Sequence, residues 1–442
     1  MTMALEVLGW LIFLVGIGVS IGLHEIGHLV PAKAFGVKVT QYMVGFGPTI
    51  WSRHKGETEY GVKAVPLGGY IRMIGMYPPA PGSDGTMLRA SSTGRFSALI
   101  DDARKQSMDE VTPADADRVF YKLPVPKRIV VMLGGPTMNL VLAFVLLTIV
   151  VSVIGLPKAT TTVGAISACV PSKANPSGDA ITTGDCVGQS HSAAYLAGLR
   201  PGDRIVSMNG TAIHEWTDMQ AAIKDAPTGD AVLVVQRDGA TITKTVPLTA
   251  TWRPVYDDTG AALGTYEYRN FLGVVPGSQR ATQSVTTVPG LVWDQGTHAV
   301  GTLITLPARV WDLARQTFTD EPRDTRGIVG VVGVGRLTGD AVALENTPVQ
   351  DKVAFILSLL AGLNLFLFLF NLIPLLPLDG GHVAGAVWES IKKGWARVRH
   401  LPTPGPVDIA KALPLTYVVS AMLLVLGLLT VVADIVKPIT LN

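Results

Sequence analysis

The stretch Val7–His28, VLGWLIFLVGIGVSIGLHEIGH, is an apolar run that ends in two histidines four residues apart. Its first part, Val7 to Leu23, has no charged side chain and approaches the ~20 residues that a helix needs to cross a membrane. On a helix, residues i and i+4 share one face, so His24 and His28 can reach a single metal ion. Glu25 can then act as a base toward a water molecule on that ion. The stretch predicts a membrane span that ends in a metal site.

Three further stretches lack charge altogether: Ile129 to Leu156, Val353 to Leu378 and Ala412 to Ala433. The whole chain is 48% hydrophobic and only 16% charged, against about 25% charged residues in ordinary soluble domains. A buried core helix could explain one such stretch but not four. No Lys or Arg precedes the first stretch, so it is predicted to be a retained span and not a signal peptide. The predicted fold class is a membrane protein with a core of four transmembrane α-helices.

The distribution of charge predicts the orientation of these spans. The net charge of +2 gives no argument for a nucleic-acid partner. Residues 33–128 hold 14 Lys and Arg, whereas residues 158–336 hold 15 in nearly twice the length. Basic density therefore places the loops after spans one and three in the cytoplasm, with both termini and the long middle segment outside. Cys169 and Cys186 both fall in that outside segment, which predicts a disulfide, although two free thiols are the alternative.

The loops show three recognisable patterns. Residues 37–76 alternate apolar and polar side chains between turn glycines, as β-strands do, and residues 77–126 are rich in Pro, Ser and Asp. In the outside segment, Ala197–Val206 (AGLRPGDRIV), a predicted turn at Asn209-Gly210 and a hairpin across Arg237-Asp238-Gly239 resemble a PDZ domain, which captures peptides by strand addition. An unrelated β-rich domain is the alternative. Apolar residues at helical spacing from Val300 to Phe318 predict an amphipathic helix, on the membrane surface or against that domain.

A catalytic zinc site needs a third protein ligand at the same membrane depth. By the orientation above, span three runs inward and ends near Leu378, opposite the histidines of span one. Asp379 follows at once, and the glycines after it let the backbone turn tightly. His382 is a rival ligand, because imidazole suits zinc equally well. Asp379 is preferred for its place at the end of the helix.

These motifs together resemble the site-2 protease family, the intramembrane zinc metalloproteases of the RseP type. The resemblance rests on His24-Glu25-x-x-His28 in span one and on Asn371-x-x-Pro374 with Leu378-Asp379-Gly380 in span three. It extends to Gly45-Phe46-Gly47-Pro48, to Pro66–Tyr70 and to Gly134–Asn139 at the start of span two. One recognisable PDZ domain and the insertion at residues 77–126 are features of the actinobacterial branch.

The resemblance implies the following organisation: first transmembrane helix (1–36), membrane re-entrant β-hairpin (37–76), cytoplasmic insertion (77–126), second transmembrane helix (127–157), extracytoplasmic PDZ-like α+β domain (158–280), connecting segment with an amphipathic helix (281–350), third transmembrane helix with the aspartate (351–382), cytoplasmic loop (383–411) and fourth transmembrane helix (412–436).

It also implies an activity. Zn²⁺ held by His24, His28 and Asp379 and a catalytic Glu25 would cleave single-span membrane proteins within the bilayer, such as a trimmed anti-sigma factor or signal-peptide remnants. Asn371 and the segment Gly45, Phe46 and Gly47 would bind the substrate backbone. The PDZ-like domain would bind a peptide or exclude an untrimmed ectodomain. The location would be the cell membrane, with the active site toward the cytoplasm.

Three other classes compete with this interpretation. A transporter could use the intramembrane His and Glu as a proton relay, but a relay needs no stoichiometric metal. A PDZ scaffold with a decayed enzyme half would not retain Glu25 and every candidate ligand. A membrane-anchored protease for soluble peptides would not need a re-entrant segment.

Overall fold

The computed structural model describes residues 2–78, 111–171, 186, 189–256, 262–325, 327–345 and 347–440. The chain forms two compact units, of which the first joins Met1–Ile154 with Gln283–Asn442 and the second is Gly155–Thr282. Among the described residues, four helices are long and apolar enough to cross a membrane: Met3–Ala34, Val125–Ile154, Val349–Asn371 and Ile409–Val436. These are the four spans that the sequence predicts.

The N-terminal part of the first unit is a helix, a β-hairpin and a second helix. Its elements are α1 (Thr2–Ala34), β1 (Val39–Lys55), β2 (Thr58–Met73) and α2 (Val125–Thr148), which continues as a π-helical segment, Ile149–Ile154. Helix α1 packs against both α2 and the hairpin.

The two long strands are bent, so that they form a sheet of four short segments. The register of the paired residues places these segments in the order 49–55, 58–63, 39–44, 69–73. The bends coincide with Gly45 and Gly47, at φ of +94° and +83°, and with Gly68 at +98°. Side chains disfavour such left-handed backbone, which explains why glycine stands at each bend. The strands lie in the predicted segment 37–76, and its re-entry into the membrane stays a prediction.

The predicted cytoplasmic insertion, 77–126, lies mostly outside the described residues, which resume at 111. The described end of this insertion is attached to the hairpin. Arg118 forms two hydrogen bonds, of 2.7 and 2.8 Å, with the carboxylate of Glu57. Lys38 donates to Asp115 at 2.6 Å. Residues 111–124 therefore belong structurally to the sheet.

The second unit is a six-stranded antiparallel sheet with two helices and one short extra strand. Its elements are β3 (Leu156–Ile166), α3 (Ala193–Leu196), β4 (Arg204–Met208), β5 (Thr211–Ala212), α4 (Trp216–Asp225), β6 (Gly229–Arg237), β7 (Ala240–Tyr256), β8 (Ala262–Phe271) and β9 (Val274–Ala281). The strand order is β8-β7-β6-β4-β3-β9, and β5 pairs with β4. Ile205, Met219 and Leu233 are fully buried in its core.

Local signals in this unit are confirmed. The turn between β6 and β7 has Asp238 and Gly239 at φ of +49° and +82°, which is the geometry of a tight two-residue hairpin. Asn209 and Gly210 also have positive φ and turn the chain between β4 and β5. Cys169 and Cys186 are joined by a disulfide, as predicted.

A buried ion pair connects β6 to the turn before β4. Both oxygens of Asp203, which is 1% exposed, accept hydrogen bonds from the Arg237 guanidinium at 2.7 and 2.8 Å. The Arg200 backbone N–H donates to the same carboxylate at 2.8 Å. These hydrogen bonds, first of all those from Arg237, hold the pKa of Asp203 below its ordinary value.

We expect Asp203→Asn to destabilise this unit by more than the roughly 0.5 kcal/mol of ordinary surface substitutions. Since the pKa of Asp203 is lower in the folded state, its stabilisation is complete above about pH 4 and is lost as the pH falls through the folded-state pKa. Hydrogen exchange of β6 and β7 amides in the intact protein measures the effect. Asp238→Asn, at an exposed position of the neighbouring turn, is the control; equal loss of protection in both variants would contradict the prediction.

Six helices complete the first unit: α5 (Val288–Ile304), α6 (Leu306–Phe318), α7 (Val331–Ala343), α8 (Val349–Asn371), α9 (Asp379–Val398) and α10 (Leu413–Val436). Helix α7 packs against α1, and α8 packs against α2. Near the end of α10, Asp434 is buried and accepts hydrogen bonds from Arg323 and from the Gly333 N–H, both at 2.7 Å.

Three sequence predictions need correction here. The amphipathic helix predicted from Val300 to Phe318 is two helices, because Thr305 ends α5 and Pro307 opens α6; the buried face of α6 packs against α10. The third span ends at Asn371 and not near Leu378, since Pro374 and Pro377 cannot donate the hydrogen bonds that continue a helix. Most of the predicted loop 383–411 is helical, because it contains the rest of α9.

Candidate metal centre

Helix α1 places its two histidines side by side. The Nε2 atoms of His24 and His28 are 3.3 Å apart. The Nδ1 atom of His28 lies 2.8 Å from the carbonyl oxygen of Val131 on α2, to which it can donate. A donating Nδ1 leaves Nε2 with a free lone pair, which is the state that a metal ligand requires.

The carboxylate of Asp379 completes the group. Its Oδ2 atom lies 3.5 Å from Nε2 of His24 and 3.4 Å from Nε2 of His28. The sequence analysis placed Asp379 directly after the end of the third span, whereas in the structure it is the first residue of α9, a separate helix. The N-terminus of a helix carries a partial positive charge, so α9 favours a carboxylate at this position.

The glycines after Asp379 have a different role from the predicted one. Gly380 and Gly381 are helical and make no tight turn. A Cβ at Gly380 would lie 2.3 Å from the carbonyl oxygen of Ile373, and one at Gly381 would lie 2.6 Å from the Leu376 nitrogen. Their lack of a side chain lets the first turn of α9 pack on the segment that follows α8. This close packing holds Asp379 near the histidines.

The three atoms have the spacing of a zinc site. Ligand atoms held tetrahedrally about 2.0–2.1 Å from zinc are roughly 3.3–3.4 Å apart, and the observed separations are 3.3 to 3.5 Å. Two imidazoles and a carboxylate are the donor set of a catalytic site, which keeps one position open. Among the described residues this is the one group of three that could hold a metal. The rival His382 is not part of it.

Glycines allow α1 and α2 to pack closely beside the two histidines. Gly27 of α1 meets Gly134 of α2, where added Cβ atoms would lie 2.0–2.2 Å from the opposite carbonyl oxygen. At Gly135 a Cβ would lie 2.1 Å from Nε2 of His28 and 2.7 Å from Nε2 of His24. The motif at Gly134–Asn139 carries part of the family resemblance, but the sequence did not predict its contact with the two candidate ligands.

Glu25 is buried between α1 and the hairpin, with 7% of its surface exposed. A Cβ at Gly69 would lie 3.0 Å from Cγ of Glu25, so the segment 69–73 passes directly beside it. The Ile71 backbone N–H is within reach of its carboxylate. Tyr42 of the same sheet donates to the Gly22 carbonyl at 2.8 Å and attaches the sheet to α1. Glu25 thus lies between the candidate ligands and a β-segment.

A buried ion pair that the sequence analysis missed fixes α9 on α2. Arg128 and Glu389, whose side chains are 6% and 1% exposed, are 2.6 Å apart. Burial alone would raise the pKa of Glu389, but hydrogen bonds from Arg128 and Lys393 lower it to about 2. Glu389 also accepts from the Val407 N–H at 3.0 Å. The pair joins the helix of Asp379 to the helix of Gly135. Because 261 residues separate the two partners (389 − 128), no local pattern could reveal them.

The remaining predicted site residues lie outside the three-ligand group. Asn371 is the last residue of α8. Gly45, Phe46 and Gly47 form the bend of β1, where Phe46 is 48% exposed and stacks on Tyr70 with ring centroids 6.4 Å apart. Nothing in the geometry assigns these residues a ligand.

Four apolar helices long enough to cross a membrane, together with an aspartate and two histidines that could hold a metal ion, define a membrane protein with a candidate metal centre. The model of Peptidase family M50 matches residues 12–401. The chain belongs to this family, which comprises the site-2 proteases, and it is a zinc metalloprotease. The predicted family, enzyme class and zinc cofactor are confirmed.

Named relatives agree with this assignment. The chain is 34% identical to "Zinc metalloprotease Rip1" of Mycobacterium tuberculosis, over 98% of this chain and 99% of the relative. It is 27% identical to "Metalloprotease MmpA" of Caulobacter vibrioides, over 87% and 88%. It is 25% identical to "Regulator of sigma-W protease RasP" of Bacillus subtilis, over 86% and 89%.

Proposed function

We propose that this enzyme cleaves peptide bonds within the transmembrane segments of single-span proteins, with His24, His28 and Asp379 as the zinc ligands and Glu25 as the catalytic base. One observation carries the proposal. Three ligand atoms with zinc-like spacing come from the membrane span α1 and from the helix that follows the membrane span α8. A site of this origin acts on peptide bonds that are themselves in the membrane.

The chain's own residues perform the proton transfers. When bound, zinc supplies a Lewis acid that acidifies water and polarises the scissile carbonyl. Glu25 accepts the proton of the attacking water and delivers it to the leaving amine. The fixed ring of His28 and the helix N-terminus at Asp379 keep the ligands in place while the proton moves.

A transmembrane helix must unwind before it can be cleaved, because its peptide bonds are enclosed by their own hydrogen bonds. The segment 69–73 lies at one end of the four-segment order, beside Glu25. An edge segment can pair with an extended chain, as in strand addition. We assign Gly45, Phe46 and Gly47 and the helix-ending Asn371 to the same binding region. Phe46, Ile50 and Trp51 are exposed on the sheet, as membrane re-entry requires.

The second unit would act outside the membrane as a PDZ-like domain, 158–280 by the predicted boundaries. A cavity of about 380 Å³ lies between α4 and the start of β9. Lys224 and Arg253 line it and suit the carboxylate of a peptide C-terminus. A partner protein already trimmed by another protease offers such a new C-terminus. Exclusion of an untrimmed ectodomain is the alternative role.

The relative called a regulator of sigma-W protease supports a regulatory substrate, such as a trimmed anti-sigma factor; signal-peptide remnants are a second substrate class. The cell membrane would hold the enzyme with its zinc site toward the cytoplasm, following the basic loops after spans one and three.

Mapping the cleavage position tests this function. We expect the full-length enzyme, reconstituted in liposomes with a single-span substrate, to cut within the apolar segment, and mass spectrometry of the products locates the cut. The control substrate carries the same extramembrane sequence joined to a charged segment that cannot enter the bilayer, and it should remain intact. Zinc-containing enzyme that cuts only extramembrane sequence would refute intramembrane cleavage.

A further inference from the structure

Helix α9 is apolar on two sides. One side packs against the protein and buries three residues: Ala386, Glu389 and Ala396. The other side carries large apolar side chains that are 42–77% exposed: Val387, Trp388, Ile391, Trp395 and Val398. Because these residues recur every three or four positions, they form one continuous line along the helix, the exposed stripe. A surface of this kind marks a site of contact.

The exposed stripe cannot rotate into the protein. Glu389, on the packed side, is held by Arg128 at 2.6 Å and by the Val407 N–H at 3.0 Å. Rotation of α9 would separate this buried pair and leave Arg128 buried without the Glu389 carboxylate, which would keep only Lys393 of its own helix; this is strongly unfavourable. The stripe therefore faces outward whenever the pair is intact.

The connections of α9 keep the stripe near a membrane surface. Residues 372–378 link it to the span α8, and residues 399–408 link it to the span that begins at Ile409. Connections of this length reach at most about 25 and 35 Å even when fully extended. Tryptophan favours the boundary between lipid headgroups and acyl chains, where its ring is partly apolar and partly polar. Trp388 and Trp395 are thus suited to the membrane surface, near which the two connections keep α9.

Basic side chains flank the stripe. Arg397 and Arg399 are exposed and Lys392 is half-buried. The Arg399 guanidinium lies 4.8 Å from the centre of the Trp395 ring, next to the stripe. A second copy docked through this face would bring like charges together. An anionic headgroup layer would instead neutralise them, so the charge favours a lipid partner over a dimer.

We propose that the exposed stripe of α9 is a membrane-binding surface that inserts Trp388, Ile391 and Trp395 into the interface and places Lys392, Arg397 and Arg399 on anionic phospholipid headgroups. Lipid contact would then extend from the spans to α9, the helix that lies between α8 and α10 in the sequence. This binding surface is separate from peptide cleavage, and its test needs no substrate.

Spin labels on single cysteines test the proposal in the full-length protein. Cys169 and Cys186 form a disulfide, so an introduced cysteine is the free thiol to be labelled. Trp395→Cys probes the stripe, and Ser390→Cys, at an exposed position off the stripe, is the matched control. In nanodiscs of phosphatidylcholine and phosphatidylglycerol, we expect the ratio of oxygen to nickel-chelate accessibility to be several-fold higher at position 395 than at 390.

Two results would overturn the proposal. Equal access of the nickel chelate to both labels would place the stripe in water. Exclusion of both oxygen and nickel from position 395 would show that protein covers it, from this chain or another copy. A second variant set tests the headgroup contact: Lys392→Glu, Arg397→Glu and Arg399→Glu together should lower the ratio at position 395 several-fold. No change with these three substitutions would refute the role of anionic lipid.

Discussion

Gly135→Ala is expected to leave the purified protein with almost no zinc and therefore without cleavage activity. The new Cβ would lie 2.1 Å from Nε2 of His28, closer than any unbonded contact allows. This Cβ would contact the nitrogen atoms that are proposed to bind zinc. The methyl group of an alanine thus competes directly with the metal.

Neither the His28 ring nor the two helices can move aside to accommodate this methyl group. His28 is held through its other ring nitrogen by the Val131 carbonyl, which belongs to the same helix as Gly135. The helices cannot separate without losing the backbone contact of Gly27 with Gly134. Overpacking at such a site forces either the ring or the helix out of position.

Elemental analysis of the purified protein measures the zinc content. The control is Gly362→Ala in the span α8, where an added Cβ meets no atom within 4 Å; this variant should keep its zinc. Full zinc occupancy in Gly135→Ala would show that the metal lies elsewhere and would refute the assignment of His24 and His28.

Glu25→Gln is expected to abolish cleavage while zinc remains bound. The amide has the same shape as the carboxylate but cannot accept the proton of the attacking water. Loss of a general base costs typically 10²–10⁴-fold in rate, so we expect a decrease of about that size. Because Glu25 lies outside the three-ligand group, the zinc content should not change.

Cleavage rates and zinc content must be measured on the same preparation. Glu6→Gln makes the same chemical change at an exposed position of the same helix, α1, and should cleave like the wild type. Chelator-treated wild type should lose activity and regain it when zinc is restored. If Glu25→Gln cleaves at the rate of Glu6→Gln, another residue is the base.

Much of the fold could be predicted because its signals are local. Apolar runs identified the four spans, and the pairs Asn209-Gly210 and Asp238-Gly239 marked turns whose backbone is left-handed as expected. The ends of elements were less predictable. The predicted end of span three, near Leu378, lies seven residues beyond the observed end at Asn371 (378 − 371). The apolar composition continues through Pro374 and Pro377 after the helix has ended.

For the metal site, the sequence by itself determined the pair His24 and His28, since helical geometry places residues four apart on one face. It also indicated Asp379, from the depth at which span three ends. Only the tertiary structure decided that Asp379 opens a new helix, that Gly135 lies against the histidines and that Arg128 holds Glu389. The physical reason is distance along the chain: these contacts depend on how separate helices pack, and hydropathy and helical spacing carry no information about packing between helices.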